Sequence, residues 1–321
     1  MIIKTLDQFK VEIPTAASVE NFADVLPYIL SAEMWLKNHI LGDELYTFLA
    51  DDESSTGEND ELLRLCSSVI SNHAYWDAIP FLDVIHTDSG FAVISANNKV
   101  PASKERVERL RAQCLLRRDS EIELLISYLE GNEQYWDMWK STEAFGNMFD
   151  SLIPTLEIFR KYHHIADRAT LDKLRGAIVT VQNTTVAETI SKAYVDELVE
   201  AQKDNDFTPY DEAILHMLRD AIVKLSLAWG IESMSINIDT NGAITLKGQD
   251  NFVGAIAADA RLQMYKQSFE KAGKQMLDRV VDYMVNNIDD YETFADSNEY
   301  AARITSGFEN SEDSPIFNSI W

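Results

Sequence analysis

Apolar residues recur at every third or fourth position along most of the chain, which predicts a protein built mainly from amphipathic helices. Ile29, Ala32 and Leu36 show this spacing early in the chain, and the stripe from Leu262 to Tyr283 shows it late. The spacing puts the apolar side chains on one face of each helix, where they can pack into a core.

Two further helices are predicted in the first half. One runs from about Asp60 to Trp76, and the other follows its N-cap Ser103 and ends before Gly131. The apolar stripe of the second helix is interrupted by Arg117-Arg118, a pair that is predicted to face solvent.

Short stretches of alternating apolar and polar residues interrupt the helical pattern once in each half. They span residues 82–94 and 236–246, and each contains a glycine, Gly90 or Gly242, at its turn. A glycine supplies the positive φ that a tight hairpin turn needs. The predicted fold class is therefore mainly α within the α+β class, with one β-hairpin in each half.

The two halves also resemble each other in order. The turn Thr87-Asp88-Ser89-Gly90 returns 152 residues later as Asp239-Thr240-Asn241-Gly242, and Arg109-Leu110 returns as Arg261-Leu262 at the same offset. A fixed offset over this length is typical of an internal repeat. The chain is predicted to consist of two tandem pseudo-repeats, each a helical module with one β-hairpin.

The opening of each predicted module is a cap, two aliphatic residues and a proline, as in Asp24–Pro27 and Ser151–Pro154. These openings lie closer together than the rest of the repeat, which predicts an inserted helix near residues 155–192. The predicted division is an N-terminal arm, module 1, module 2 and a C-terminal tail, at residues 1–18, 19–146, 147–305 and 306–321.

Composition restricts the classes of function. The 321 residues carry a net charge of −25, from 53 acidic and 28 basic residues. This disfavours nucleic-acid binding, which needs a basic footprint, and it disfavours anionic membrane surfaces. No apolar stretch reaches the roughly 18 residues of a membrane span. Cys66 and Cys114 lie in helical patterns, so they are predicted to be buried free thiols in a reducing compartment.

No pattern of chemically active residues stands out. Only His163 and His164 are adjacent among six histidines, and neighbours in a helix point too far apart to bind one metal easily. Asp239–Gly242 begins like a calcium loop, but the later ligand positions do not fit. Glycine-rich phosphate loops and nucleophile motifs are missing from the sequence. We predict no catalytic, cofactor-binding or metal-binding residues, no cofactor, and no enzymatic activity.

Aromatic residues mark a candidate partner interface. Tyr135, Trp136 and Trp139 are crowded into little more than one helical turn, which indicates either a deeply buried helix or one covered by a partner. Phe317 and Trp321 belong to an apolar C-terminal tail, which is either a docking segment or an ordinary tail. These five residues form the candidate interface, with both alternatives left open.

The first 130 residues resemble a known family in several motifs. The motifs are Leu26-Pro27-Tyr28-Ile29, Ala32-Glu33, Ile40-Leu41-Gly42-x-Glu44-Leu45-Tyr46, Ala78-Ile79-Pro80, the turn at Gly90, and Tyr128-Leu129-Glu130. They are similar to an uncharacterised domain family of Bacteroidetes bacteria that is frequent in prophages. That family is broadly similar to the helical head–tail connector proteins of tailed phages. The motifs are structural, so the resemblance implies no site residues, and Val195–Val199 departs from the Gly-x-Glu-Leu-Tyr form.

The expected function is a structural or assembly protein, of the kind found at a prophage head–tail connector or neck. The alternative is a cytoplasmic protein-binding or regulatory module without catalysis. Either interpretation implies protein partners or self-assembly into a homo-oligomer, without specific nucleic-acid or membrane binding. The expected location is the cytoplasm, or the virion if the protein derives from a phage.

Overall fold

The computed structural model describes residues 1–51, 59–82, 84–87, 90–93, 103–165, 167–233, 236–238, 244–246 and 259–306. The chain divides into two compact units. Unit 1 comprises Met1–Met148 and Thr155–Glu157, and unit 2 comprises Phe149–Pro154 and Ile158–Trp321. The predicted boundaries of the arm, modules and tail stay a prediction.

The first 148 residues form seven described α-helices, and α4 packs against α1, α2 and α5. The helices are α1 (Leu6–Glu12), α2 (Phe22–Leu36), α3 (Gly42–Ala50), α4 (Asp60–Ala78), α5 (Lys104–Glu130), α6 (Glu133–Lys140) and α7 (Glu143–Met148). A 3₁₀ turn, Pro14–Ser18, follows α1, and a π-turn, Lys37–Leu41, joins α2 to α3.

The remaining residues follow a similar order, in which α12 packs against α9 and α13. The helices are α8 (Leu156–Tyr162), α9 (Arg168–Val181), α10 (Ala187–Ile190), α11 (Lys192–Asp204), α12 (Pro209–Ser233), α13 (Asp259–Asn286), α14 (Glu292–Ala295) and α15 (Asn298–Ser306). A π-turn, Gln182–Val186, follows α9, and a 3₁₀ turn, Ile288–Asp290, follows α13.

Extended structure is confined to four described segments of three or four residues. Val84–Thr87 (β1) lies antiparallel to Gly90–Val93 (β2), and Ile236–Ile238 (β3) lies antiparallel to Ile244–Leu246 (β4). Neither pair joins a larger sheet in the described residues, and pairs this short form no independent layer. The fold is all-α, so the predicted α+β class with one β-hairpin per module is wrong. The alternating pattern is misleading because the core is made by the helices around it.

A buried carboxylate organises the start of unit 1. Glu33 on α2 is 2% exposed, and its Oε1 accepts hydrogen bonds from the backbone N–H groups of Ile2 (2.8 Å) and Ile3 (3.0 Å). Its Oε2 accepts a third bond from the Tyr46 hydroxyl at 2.8 Å. Burial, followed by the bond to Glu33, raises the pKa of Tyr46 well above its usual range. One side chain thus ties the N-terminal segment, α2 and α3 together.

Unit 2 uses a neutral residue in the same way. Gln182, also 2% exposed, accepts a hydrogen bond at Oε1 from the Leu152 N–H (2.8 Å) and donates from Nε2 to the Asp150 carbonyl (3.1 Å). Arg219 donates to the Leu152 carbonyl at 2.9 Å and completes the attachment of this segment. In both units, therefore, a buried polar residue near the π-turn holds an earlier backbone segment.

These hydrogen bonds relate the two units at a spacing of 149 residues: Ile3 corresponds to Leu152, and Glu33 to Gln182. Residue 42 and residue 191 share the same spacing, and both have positive φ. This correspondence pairs the start of unit 2 with the start of the chain, whereas the sequence motifs pair Ser151–Pro154 with Asp24–Pro27. In the structural correspondence α8 and α9 occupy residues 155–192 as counterparts of α1 and α2.

The two cysteines, Cys66 and Cys114, are free and buried, as predicted. Burial raises the pKa of both thiols, which keeps them protonated near neutral pH. Within the described part of the chain, no helix has both the length and the apolar character needed to cross a bilayer.

Candidate protein-binding site

The predicted aromatic interface falls in two places. Tyr135 and Trp139 are 1% and 0% exposed and belong to the core of unit 1, while Trp136 is half-buried. Phe317 and Trp321 lie outside the described residues. A role for these residues in partner binding stays a prediction, and in the isolated chain Tyr135 and Trp139 are packed inside.

The buried aromatic residues anchor α6 through their polar atoms. Trp139 donates its indole N–H to the carbonyl of Ile40, within the π-turn, at 2.6 Å. Tyr135 donates its hydroxyl to the side-chain oxygen of Asn59, at the start of α4, at 2.5 Å. Both bonds satisfy polar groups near helix ends, where the helix itself leaves backbone groups without partners.

Replacing Tyr135 by phenylalanine is expected to lower the free energy of unfolding of unit 1 by about 1–2 kcal/mol, because the buried Asn59 oxygen loses this donor. Chemical denaturation followed by tryptophan fluorescence measures the loss. The matched control is Tyr128→Phe, because the Tyr128 ring lies 6.2 Å from that of Tyr135 but its hydroxyl has no hydrogen bond in the described structure. Equal losses in both variants would contradict the role of the Asn59 bond.

A second aromatic cluster lies at the surface of unit 1, and we call it the Trp–Arg patch. Its members come from α2, the π-turn, α4 and α5, and they are Trp35, His39, His73, Trp76, Arg111 and Arg118. His39 is exposed, Arg118 is buried, and the other four are partly exposed. The patch therefore combines packed side chains with accessible faces.

The rings form a continuous row. Trp35 stacks on His39 at 5.2 Å between ring centroids and meets His73 edge-on at 4.8 Å. His73 in turn meets Trp76 at 5.9 Å. The row is built from helical spacings, since Trp35 and His39 are four residues apart and His73 and Trp76 are three apart. Local helix geometry and the packing of α2 on α4 thus determine its shape.

Two guanidinium groups cover the indole rings. Arg118 lies 5.1 Å from the Trp35 ring centroid, and Arg111 lies 5.1 Å from that of Trp76. Such cation–π contacts add about 0.5–2 kcal/mol each, depending on desolvation. The seven-residue spacing along α5 puts both arginines on one face of the helix.

The two arginines differ in their electrostatic partners. Arg118 donates two hydrogen bonds to Asp119 Oδ1, at 2.9 and 2.6 Å, so its charge is compensated. Arg111 has a buried Nε without a hydrogen-bond partner. Among the described residues no carboxylate lies within ion-pair distance of Arg111. Its uncompensated charge makes this end of the patch suited to binding an anion.

Histidine 73 is the titratable centre of the patch. Burial, and then the positive charge of Arg118 and the nearby His39, lower the pKa of His73 from 6.5 to about 4. Its Nδ1 is buried without a hydrogen-bond partner. The ring is therefore neutral at pH 7 and serves as a packing surface between the two tryptophans.

Acidification is expected to destabilise unit 1 through His73. The unfolded chain binds a proton near pH 6.5, whereas the folded chain binds it only near pH 4, so stability is complete above pH 6.5 and is lost as the pH falls towards 4. The loss is at most about 3 kcal/mol. Denaturation curves at several pH values in this window, compared with those of His73→Gln, isolate the effect. An identical pH slope in the variant would contradict it.

Sequence reasoning finds only weak signals for this patch. It interprets the histidines as structural, and its prediction that Arg118 faces solvent is wrong, because Arg118 is buried against Trp35 and Asp119. The members are up to 83 residues apart and follow no local motif. The available signal is the helical spacing within the pairs Trp35/His39, His73/Trp76 and Arg111/Arg118.

A polar pocket of about 480 Å³ lies elsewhere on unit 1, beside the π-turn. Lys37 pairs with Asp43 at its rim, and the Ser141 hydroxyl donates to Glu44 at 3.1 Å. These charged groups are thus already paired within the protein. Across the described residues no group of histidine, cysteine, aspartate and glutamate side chains is arranged to hold a metal ion.

Comparison with known proteins gives a family and little else. A family model described as a family of unknown function (DUF6712) matches residues 35–147 and 178–304. The two matched segments together cover more than half of the chain and include helices of both units. No curated protein and no solved structure matches the chain.

Proposed function

We propose that this chain, which belongs to the DUF6712 family of unknown function, is a structural subunit of a protein assembly. The Trp–Arg patch carries the proposal. Tryptophan and arginine are among the residues most enriched in side chains that dominate binding energy at protein interfaces. A half-buried group of both, held rigidly by three helices, has the composition of such a contact.

Rigidity of the patch supports the same function. Its residues are held by ring stacking and cation–π contacts within unit 1, so little side-chain entropy would be lost on binding. The buried network around Glu33 likewise serves to hold segments together. Two similar units in one chain suit an assembly, because a ring of copies presents twice as many similar units as it has chains.

The resemblance to prophage domains suggests a concrete form for the assembly, a head–tail connector or neck of a virion. The net charge of −25 fits a subunit next to DNA that must slide without sticking, because like charges repel. No catalytic step is part of this proposal.

Solution mass tests the proposed function. Light scattering with negative-stain imaging, over a range of protein and salt concentrations, is expected to show discrete oligomers or rings. A strict monomer under every condition would contradict self-assembly. It would favour the alternative of a protein-binding module that recruits a different partner.

A further inference from the structure

We infer that the Trp–Arg patch of one chain binds the acidic end of α13 in a second copy, so that copies associate head to tail. This inference rests on the proposed function and names the two surfaces involved. The acidic end of α13 comprises Asp282, Tyr283, Val285, Asp289 and Asp290 of unit 2. Each surface has an unpaired charge beside accessible apolar groups, and the two charges are opposite.

The demand for an anion comes from Arg111. Its guanidinium is partly buried over Trp76, and its Nε is shielded from solvent without an acceptor. A buried donor without a partner costs about 1–3 kcal/mol, more when it is charged. A carboxylate is the natural acceptor, because its two oxygens match the planar fork of the guanidinium.

The acidic end of α13 supplies carboxylates of this kind. Asp289 and Asp290 are exposed in the 3₁₀ turn that follows the helix. Within the described residues no cation lies within ion-pair distance of either carboxylate. The C-terminal end of a helix carries a partial negative charge, which adds to the potential of the two aspartates.

Apolar groups accompany the charges on both surfaces. Tyr283 and Val285 are 37% and 40% exposed on the last turns of α13. On unit 1, the accessible faces of Trp35 and Trp76 provide the matching apolar area. An interface needs such a desolvated centre, since exposed ion pairs alone contribute little.

A second copy is the partner that best fits, because the two surfaces occur on different units of one chain. The positions 149 residues after Trp35, His73 and Trp76 are Thr184, Ile222 and Leu225, so unit 2 carries no equivalent of the patch. The two units share their buried hydrogen bonds but differ in these surfaces. A contact between unlike surfaces is heterologous, and repeated contacts of this type form a closed ring or a filament.

Charge reversal with rescue tests the pairing. We would measure the association constant by sedimentation for the wild type, Arg111→Glu, and the double variant Asp289→Lys/Asp290→Lys. Each reversal is expected to weaken association at least thirtyfold, roughly, because an unpaired charge then stays buried at the contact. A chain with all three changes restores opposite charges and is expected to associate again. Arg106→Glu, an exposed arginine of α5 outside the patch, is the control and should associate like the wild type.

The outcomes separate the two proposals. A monomeric wild type contradicts the proposed self-assembly and this inference with it. An assembled wild type whose association is unchanged by the reversals overturns this inference alone. Failure of the triple variant to recover also overturns it, provided that circular dichroism shows the same helical content as the wild type. The double variant changes only exposed residues, so its result stands if Arg111→Glu does not fold.

Discussion

Glu33→Ala is expected to lower the free energy of unfolding of unit 1 by roughly 4 kcal/mol. The change leaves the Ile2 and Ile3 N–H groups and the Tyr46 hydroxyl without their acceptor. Ile2 and Ile3 are themselves buried, so water cannot readily replace the lost bonds. The N-terminal segment, α2 and α3 would no longer share an anchor.

Chemical denaturation monitored by tryptophan fluorescence reports on this loss. Four of the six tryptophans lie in unit 1, so the signal follows that unit: Trp35, Trp76, Trp136 and Trp139. The control is Glu33→Gln, which introduces the residue that unit 2 has at the corresponding position. Its amide oxygen can still accept from both N–H groups, so a loss of only about 1 kcal/mol is expected. Similar losses in the two variants would refute the role of the acceptor oxygen.

Gly42→Ala is expected to cost unit 1 a similar amount, about 4 kcal/mol, by a different mechanism. Gly42 has φ +76° and ψ 174°, a conformation that is essentially restricted to glycine. An added Cβ would lie 2.3 Å from the Thr142 Cβ, far inside van der Waals contact. Thr142 cannot move freely, because its hydroxyl donates to the Trp139 carbonyl and accepts from the Phe145 N–H.

Gly146→Ala provides the matched control for backbone and size. Gly146 lies in α7, and a methyl group added there would meet nothing within 4 Å, so alanine should be neutral or stabilise by up to about 1 kcal/mol. Thermal unfolding of both variants measures the difference. A Gly42→Ala variant as stable as Gly146→Ala would show that the backbone at residue 42 relaxes without cost.

Helical periodicity makes much of the fold predictable. The helix predicted over residues 60–76 extends over Asp60–Ala78, and the one predicted after Ser103 extends over Lys104–Glu130. Both have regular apolar stripes that pack into the core. The fold class is not predictable in the same way, because a short alternating stretch has the same pattern whether or not it belongs to a sheet.

The candidate site is much less predictable. Crowded aromatic residues direct attention to Tyr135 and Trp139, which are core residues with hydrogen-bonded polar atoms. The Trp–Arg patch depends on how α2, α4 and α5 pack, and that packing brings together residues far apart in sequence. Glu33 likewise looks like an ordinary surface glutamate until the N-terminal segment is placed beside it.

The π-turns bear on the history of the chain. In both units a π-turn begins at or shortly after the buried polar residue and ends before the residue of positive φ, and these two residues are nine positions apart, as Glu33 and Gly42 or Gln182 and Ser191. A π-turn amounts to one extra residue inserted into an α-helix. If one ancestral unit was copied, that insertion came before the copying, because both descendants carry it. The Trp–Arg patch, present in only one descendant, diverged afterwards, so the bend is the ancestral trait and the binding surface the later specialisation.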